Sequence, residues 1–132
     1  MQGKLLNDKM PKKILVVDDE VDIQEIIKEL FEAFGFDVET ASSGNKAIEI
    51  LKKKDFNVII SDIRMPDGSG VDLLNWVRER DINNPKFFLI TGFSDHTVAE
   101  VLSLGAEGVF SKPFEAADMR ANINKSFKSE KQ

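Results

Sequence analysis

Polar residues of three kinds follow short apolar runs in this sequence, namely carboxylates, one hydroxyl and one ammonium, at Asp18, Asp19, Asp62, Thr91 and Lys112. If these groups met, one lysine could not neutralise the carboxylates, because two carboxylates about 5 Å apart repel by roughly 3 kcal/mol at an effective dielectric constant of about 20. A hard divalent cation would compensate, and oxygen ligands without His or Cys favour Mg²⁺, with Mn²⁺ as a substitute. A metal and a lysine would attract a phosphoryl group, a carboxylate would attack its phosphorus, and the hydroxyl would bind the resulting oxyanion.

The hydrophobic pattern around these residues alternates between strands and helices. Short runs rich in β-branched or aromatic residues predict strands, at residues 14–17, 37–41, 58–60, 87–90 and 108–111. Apolar residues recurring every three or four positions predict a helix after each strand. Ser69 and Asp72 have the spacing of a capping box, and Asp95 is a candidate cap for the following helix.

Five strands alternating with five helices predict an α/β fold, a doubly wound (βα)5 three-layer sandwich. Short connections require a parallel five-stranded sheet with right-handed crossovers. The pattern alone does not give the strand order, and we take 2-1-3-4-5, one of the two common doubly wound orders. Ligands of such sheets bind beyond the carboxyl ends of the strands. The polar residues that follow strands 1, 3, 4 and 5 are therefore expected to form one site.

Composition excludes several classes of function. The chain has 132 residues, enough for one domain, and it has no cysteine, which removes disulfides and thiolate chemistry. The formal net charge of −5 argues against direct nucleic-acid binding by this domain. No apolar run approaches the roughly 18 residues of a membrane span, and no secretory leader is recognisable, so we expect a cytoplasmic protein without membrane contact. We expect a flexible tail at 1–12, a domain at 13–128 and a second tail at 129–132.

Four segments together resemble the receiver domain of two-component response regulators, in particular the chemotaxis regulators, whose fold is flavodoxin-like. They are ILVVDDE at 14–20, SDIRMPDGSG at 61–70, TG at 91–92 and KPF at 112–114. Each segment alone is a weak signal, but their order and their positions at strand ends are specific. The resemblance extends from about Lys13 to Phe127.

The resemblance implies roles for the acidic residues. Asp62 would be the phospho-acceptor, receiving its phosphoryl group from a histidine kinase or a histidine phosphotransfer protein. Asp19 and Asp62 would bind Mg²⁺ directly, Asp18 largely through water, and the backbone carbonyl of Arg64 would be a further ligand. The domain would be a signalling switch that catalyses only its own phosphorylation and dephosphorylation.

Further implied roles concern the last two strands. Thr91 would be the switch hydroxyl, Lys112 would pair with the phosphoryl oxygens, and the Lys112–Pro113 peptide bond would be cis. The partners would include a downstream protein target or an output domain missing from this chain. The domain would be a monomer or a phosphorylation-dependent dimer.

Residues at the pocket rim and on the last strand bear on the lifetime of the phosphoryl group and on how the switch is read out. Arg64, Gly92 and Phe93 would lie at the pocket rim, where large side chains would slow hydrolysis of the phosphoryl group. The family usually has an aromatic residue three positions before the final-strand lysine, and Val109 occupies that position here. Phe110 cannot replace that ring, because neighbouring strand residues point to opposite faces.

Two alternatives remain open. A flavodoxin-type FMN binder would share the fold, but no glycine-rich phosphate loop follows strand 1, and three carboxylates suit a bare phosphate poorly. A phosphorylation-independent docking module of the same family would not need the complete acidic set. The colour of the purified protein tests the first alternative, and labelling by acetyl phosphate tests the second.

Overall fold

The computed structural model describes residues 12–92 and 98–130. Strands and helices alternate along the chain, and their bounds are β1 Lys13–Val17, α1 Val21–Ala33, β2 Asp37–Ala41, α2 Gly44–Leu51, β3 Val58–Asp62, α3 Gly70–Arg80, β4 Lys86–Thr91, α4 Val98–Ser103, β5 Gly108–Ser111 and α5 Ala116–Glu130. The last helix continues two residues past the expected domain end at 128. Phe93 and Asp95 lie outside the described residues.

The five strands form one parallel sheet in the order β2-β1-β3-β4-β5, which confirms the predicted topology. Parallel register aligns the carboxyl ends: Val17 pairs with Ser61, and Asp62 pairs with Ile90. The chain crosses from β1 to either side, first to β2 and later to β3. Strand order therefore switches at β1, where such sheets bind ligands.

Alternate residues of the buried strands supply the two faces of the sheet. One face packs against α2, α3 and α4 through Leu15, Val17, Ile59, Phe87, Leu89, Ala47, Leu73, Leu74, Val77 and Val101. The other packs against α1 and α5 through Ile14, Val16, Val58, Ile60, Phe88, Ile90, Ile27, Phe31, Met119 and Ile123. Burial on both faces explains the continuous apolar runs in the sequence. The three-layer sandwich is confirmed.

Side-chain caps define the starts of two helices. The Ser43 hydroxyl accepts a hydrogen bond from the Lys46 N–H at the start of α2. At α3 the predicted capping box is present, because Ser69 accepts from the Asp72 N–H and the Asp72 carboxylate accepts from the Ser69 N–H. These caps fix where the helices begin relative to the strand ends that precede them.

Candidate active site at the carboxyl edge of the sheet

The first two acidic residues follow β1 and differ in exposure. Asp18 is buried, with 1% of its surface exposed, whereas Asp19 is exposed. The Asp18 N–H donates to the Ala41 carbonyl at 3.1 Å, and its Oδ1 accepts from the Glu20 N–H at 2.9 Å. Its other carboxylate oxygen, Oδ2, is buried and has no hydrogen-bond partner. A buried carboxylate oxygen without a donor indicates a position that suits a cation or water.

Asp62 is the last residue of β3 and is also buried. Its Oδ1 accepts from the Ile63 N–H at 2.9 Å, and its Oδ2 lies 3.6 Å from the Lys112 ammonium. Helix α3 begins close behind it, since a Cβ atom on Gly70 would lie 2.1 Å from the Asp62 carbonyl oxygen. Only glycine allows the helix to approach the strand end this closely.

The carboxylates of Asp18, Asp19 and Asp62 form one cluster. One oxygen from each lies within 4.8 Å of the others. Burial raises the pKa of Asp18 from 3.8 to about 6, and the Glu20 N–H offsets this only in part, while the charge of Asp62 adds to it. Burial also raises the pKa of Asp62, against the opposing attraction of Lys112. The folded chain thus concentrates negative charge where it is poorly solvated, and this all-oxygen donor set fits a hard divalent cation.

The loop after β3 is held by the start of α2. Asp67 has a positive φ of 61°, and its carboxylate accepts from the Ser43 hydroxyl at 3.1 Å and the Asn45 side-chain amide at 2.9 Å. The Gly44 N–H donates to the Gly68 carbonyl at 2.9 Å, and the Asn45 N–H donates to the Asp67 carbonyl at 3.1 Å. The side-chain bonds from Asn45 and Ser43 lower the pKa of the Asp67 carboxyl, and all four bonds together fix the loop that contains Arg64. The Arg64 side chain itself is exposed.

The other side of the site comes from β4 and β5. The Lys112 N–H donates to the Thr91 carbonyl at 2.9 Å, and the Lys112–Pro113 peptide bond is cis. Gly92 is exposed, and among the described residues a Cβ atom placed there would meet only the Lys112 Cδ, at 4.0 Å. The predicted rim residue Phe93 lies outside the described residues.

Val109 and Phe110 face opposite layers, as predicted. Val109 packs against the layer of α2, α3 and α4, whereas Phe110 packs in the other layer and stacks on Phe88 with ring centroids 5.5 Å apart. The Phe110 ring thus lies on the face of the sheet opposite to Val109 and cannot take the place of an aromatic residue at position 109.

Sequence reasoning missed two residues that support the site, Gln24 and Asp67. Asp67 precedes a glycine in a turn sequence, and aspartate tolerates positive φ, so the turn was readable but its partners were not. Gln24 is a polar residue beside the apolar stripe of α1, and it is 8% exposed. Its burial was the missing signal.

Comparisons with known proteins agree with this geometry. A family model described as the response regulator receiver domain matches residues 14–124. SaeR, a response regulator of Staphylococcus aureus (strain USA300), is 33% identical over 111 residues, which are 84% of this chain and 48% of SaeR. A receiver domain from Clostridium thermocellum has a TM-score of 0.84 at 32% identity, covering 91% of this chain and 97% of that one. TrrA from Thermotoga maritima, solved in complex with Mg²⁺-BeF, has a TM-score of 0.79 at 30% identity, covering 87% and 98%.

The chain belongs to the family of response regulator receiver domains, the signalling switches of two-component systems. The acidic pocket of Asp18, Asp19 and Asp62 is typical of the phospho-acceptor site of this family. The chain spans about half the length of the curated relatives it matches. None of the helices in residues 12–92 and 98–130 has the length and apolarity needed to cross a membrane.

Proposed function

We propose that Asp62 accepts a phosphoryl group from a phosphohistidine of a histidine kinase or phosphotransfer protein, in a Mg²⁺-dependent reaction. The observation that carries this proposal is the meeting of three carboxylates within 4.8 Å, with the Lys112 ammonium 3.6 Å from Asp62 Oδ2. An isolated surface aspartate would have neither the neighbouring carboxylates nor the buried environment.

The cation would be held by a subset of these oxygens. Asp19, Asp62 and the Arg64 carbonyl would contact it directly, and Asp18 would contact it largely through water. Three features support Mg²⁺, or Mn²⁺ as its substitute: the donors are all oxygen, Asp18 Oδ2 is buried without a partner, and the similar TrrA was solved with Mg²⁺-BeF. The bound cation would neutralise charge on the phosphoryl oxygens.

Asp62 would act as the nucleophile through Oδ2, because Oδ1 is occupied by the Ile63 N–H. As the new O–P bond forms, the N–P bond of the phosphohistidine breaks and its electron pair stays on the imidazole, which then takes a proton from water. Lys112 attracts the phosphoryl oxygens, and the Thr91 hydroxyl donates to one of them. Hydrolysis of the acylphosphate by water would regenerate Asp62, so the domain would catalyse only its own modification.

The added charge would then shift an equilibrium between two conformations. Moving such an equilibrium from 1:99 to 99:1 requires about 5.5 kcal/mol. Charge-assisted contacts from Lys112 and Thr91, at roughly 1.5–3 kcal/mol each, together with the cation are of that order. Because Val109 replaces the usual aromatic residue, we propose that the signal passes through the backbone of residues 91–111. NMR amide shifts that stay unchanged there when a phosphoryl mimic binds would refute this readout.

The remaining assignments follow from this role. The domain would act in the cytoplasm on a downstream protein target or an attached output domain, as a monomer or a phosphorylation-dependent dimer. Its net charge of −5 speaks against direct nucleic-acid binding.

Intact-mass measurement tests the proposal. The native chain incubated with Mg²⁺ and acetyl phosphate should gain the mass of one phosphoryl group, and a chelator should prevent this. Asp62→Asn should remove the label, whereas the matched change Asp55→Asn, at an exposed aspartate before the opposite end of β3, should retain it. Labelling that survives in Asp62→Asn would refute the assignment, and a native chain that is never labelled would favour the docking module. A yellow purified protein would favour the FMN binder.

A further inference from the structure

Gln24 connects helix α1 to the ends of two strands. It lies in the second turn of α1 and is 8% exposed. Its side-chain Nε2 donates to the Asp18 carbonyl at 2.6 Å and approaches the Ala41 carbonyl at 3.4 Å. Ala41 ends β2, and Asp18 directly follows β1, so one buried amide contacts the backbone of both strand ends.

With the Gln24 contact, both backbone polar groups of Asp18 and one of its carboxylate oxygens are hydrogen-bonded. Its N–H donates to Ala41, its carbonyl accepts from Gln24, and its Oδ1 accepts from the Glu20 N–H. The Asp18 carbonyl belongs to the peptide group that joins Asp18 to Asp19. Holding that peptide plane fixes the N and Cα atoms of Asp19. The Glu20 N–H is held by Asp18 Oδ1, which fixes the peptide on the other side of Asp19. The two bonds together set the direction in which the Asp19 side chain leaves the backbone.

The Gln24 contact is more than a way of satisfying a strand end. The Ala41 carbonyl already accepts from the Asp18 N–H at 3.1 Å, and Gln24 makes its shorter bond to Asp18. Among the described residues, the only buried side-chain nitrogen or oxygen without a hydrogen-bond partner is Asp18 Oδ2, which belongs to this same residue. The surrounding bonds thus hold every other polar atom of Asp18 and leave that one oxygen to the acidic cluster.

We propose that Gln24 is a positioning residue for the cation: it holds the peptide between Asp18 and Asp19 so that both carboxylates converge on Asp62, an inference that rests on the proposed function. In other metal sites, the loss of a group that orients a metal ligand typically weakens metal binding by 10–100-fold. Because the two carboxylates keep their own charge and identity, we expect the lower end of that range.

The test is a Mg²⁺ titration followed by NMR shifts of the amides of residues 18–20 and 62–64. Gln24→Met keeps the length of the side chain but removes the donor, and it should weaken Mg²⁺ binding about tenfold. Gln24→Asn, one methylene too short to reach the carbonyl, should act in the same direction if the methionine variant fails to fold. Ile27→Val is the matched control, since Ile27 is buried on the same helix and belongs to the core. It should lower stability and leave Mg²⁺ affinity unchanged.

A second readout needs no metal. Hydrogen exchange of the Asp19 and Glu20 amides in the metal-free Gln24→Met protein should be faster than in the native protein, while core amides of β3 exchange equally. Equal Mg²⁺ affinity in the native and Gln24→Met proteins would overturn the role of Gln24 and leave the proposed function standing. Weakening by Ile27→Val to the same extent would also overturn it. A native protein that binds no Mg²⁺ would overturn the proposed function and this inference together.

Discussion

Replacing Asp18 with asparagine should stabilise the metal-free protein at neutral pH, although it removes a proposed contact of the cation. Asp18 is 1% exposed, its Oδ2 has no partner, and its pKa is raised from 3.8 to about 6, chiefly by burial. Keeping it ionised in the folded state at pH 7 therefore costs about 3 kcal/mol. Asp18→Asn retains the acceptor for the Glu20 N–H and removes the charge. We expect the free energy of unfolding to rise by about 2–3 kcal/mol.

The pH dependence gives this prediction a sign. The folded chain binds the Asp18 proton more tightly than the unfolded chain, so the penalty is absent below about pH 3.8, grows as the pH rises towards 6, and is constant above that. The advantage of Asp18→Asn over the native protein should therefore be near zero at about pH 4 and complete by about pH 7.

Urea unfolding followed by circular dichroism, in the presence of a chelator, measures this difference at both pH values. Mg²⁺ should stabilise the native protein more than the variant, because the variant lacks the buried charge. Asp67→Asn is a matched control of opposite sign, since hydrogen bonds from Asn45 and Ser43 lower the pKa of Asp67. An Asp18→Asn protein no more stable than the native protein at pH 7 without metal would refute the reasoning.

Three further substitutions test the site. Lys112→Met removes the positive charge that opposes the effect of burial on Asp62, so the pKa of Asp62 should rise further. Labelling by acetyl phosphate at pH 7 should fall at least several-fold. Undiminished labelling would contradict the pairing of Lys112 with Asp62 at 3.6 Å. Gly70→Ala should destabilise the fold by about 2 kcal/mol or more in urea unfolding, because its Cβ would lie 2.1 Å from the Asp62 carbonyl oxygen. At Gly92, an added Cβ would have, within the described part of the chain, only the Lys112 Cδ at 4.0 Å. Gly92→Ala should therefore change stability by less than about 0.5 kcal/mol, and a larger loss would show that the space there is not open.

The sheet and the acidic cluster were predictable because both follow from local patterns combined with a topological rule. Continuous apolar runs placed the strands in the middle of the molecule, and parallel strands bring their carboxyl ends to one edge. Asp18 comes directly after such a run, and Asp62 and Lys112 each follow one after a single serine, so their meeting required only the strand order. The opposite orientation of Val109 and Phe110 followed from the two-residue period of a strand in the same way.

The supporting contacts were not predictable, because they join residues distant in sequence. Gln24 reaches the Ala41 carbonyl across 17 positions, and Asp67 reaches Ser43 across 24. No local pattern distinguishes a glutamine that is buried against strand ends from one on a solvated helix face. The sequence also could not tell which of the adjacent residues Asp18 and Asp19 is buried, since this depends on how the chain leaves β1 after its last paired residue.

Because hydrogen bonds join the start of α2 to the loop after β3, the sequences of these two segments depend on each other. Ser43 and Asn45 lie far from Asp62 in sequence, yet they hold the Asp67 turn through which the chain passes on its way from the acceptor to α3. A chimaera that takes residues 42–46 from one relative and residues 63–69 from another would mismatch donors and acceptors at this junction. Grafts between relatives therefore need to exchange both segments together, and drift in one segment constrains which replacements the other can accept.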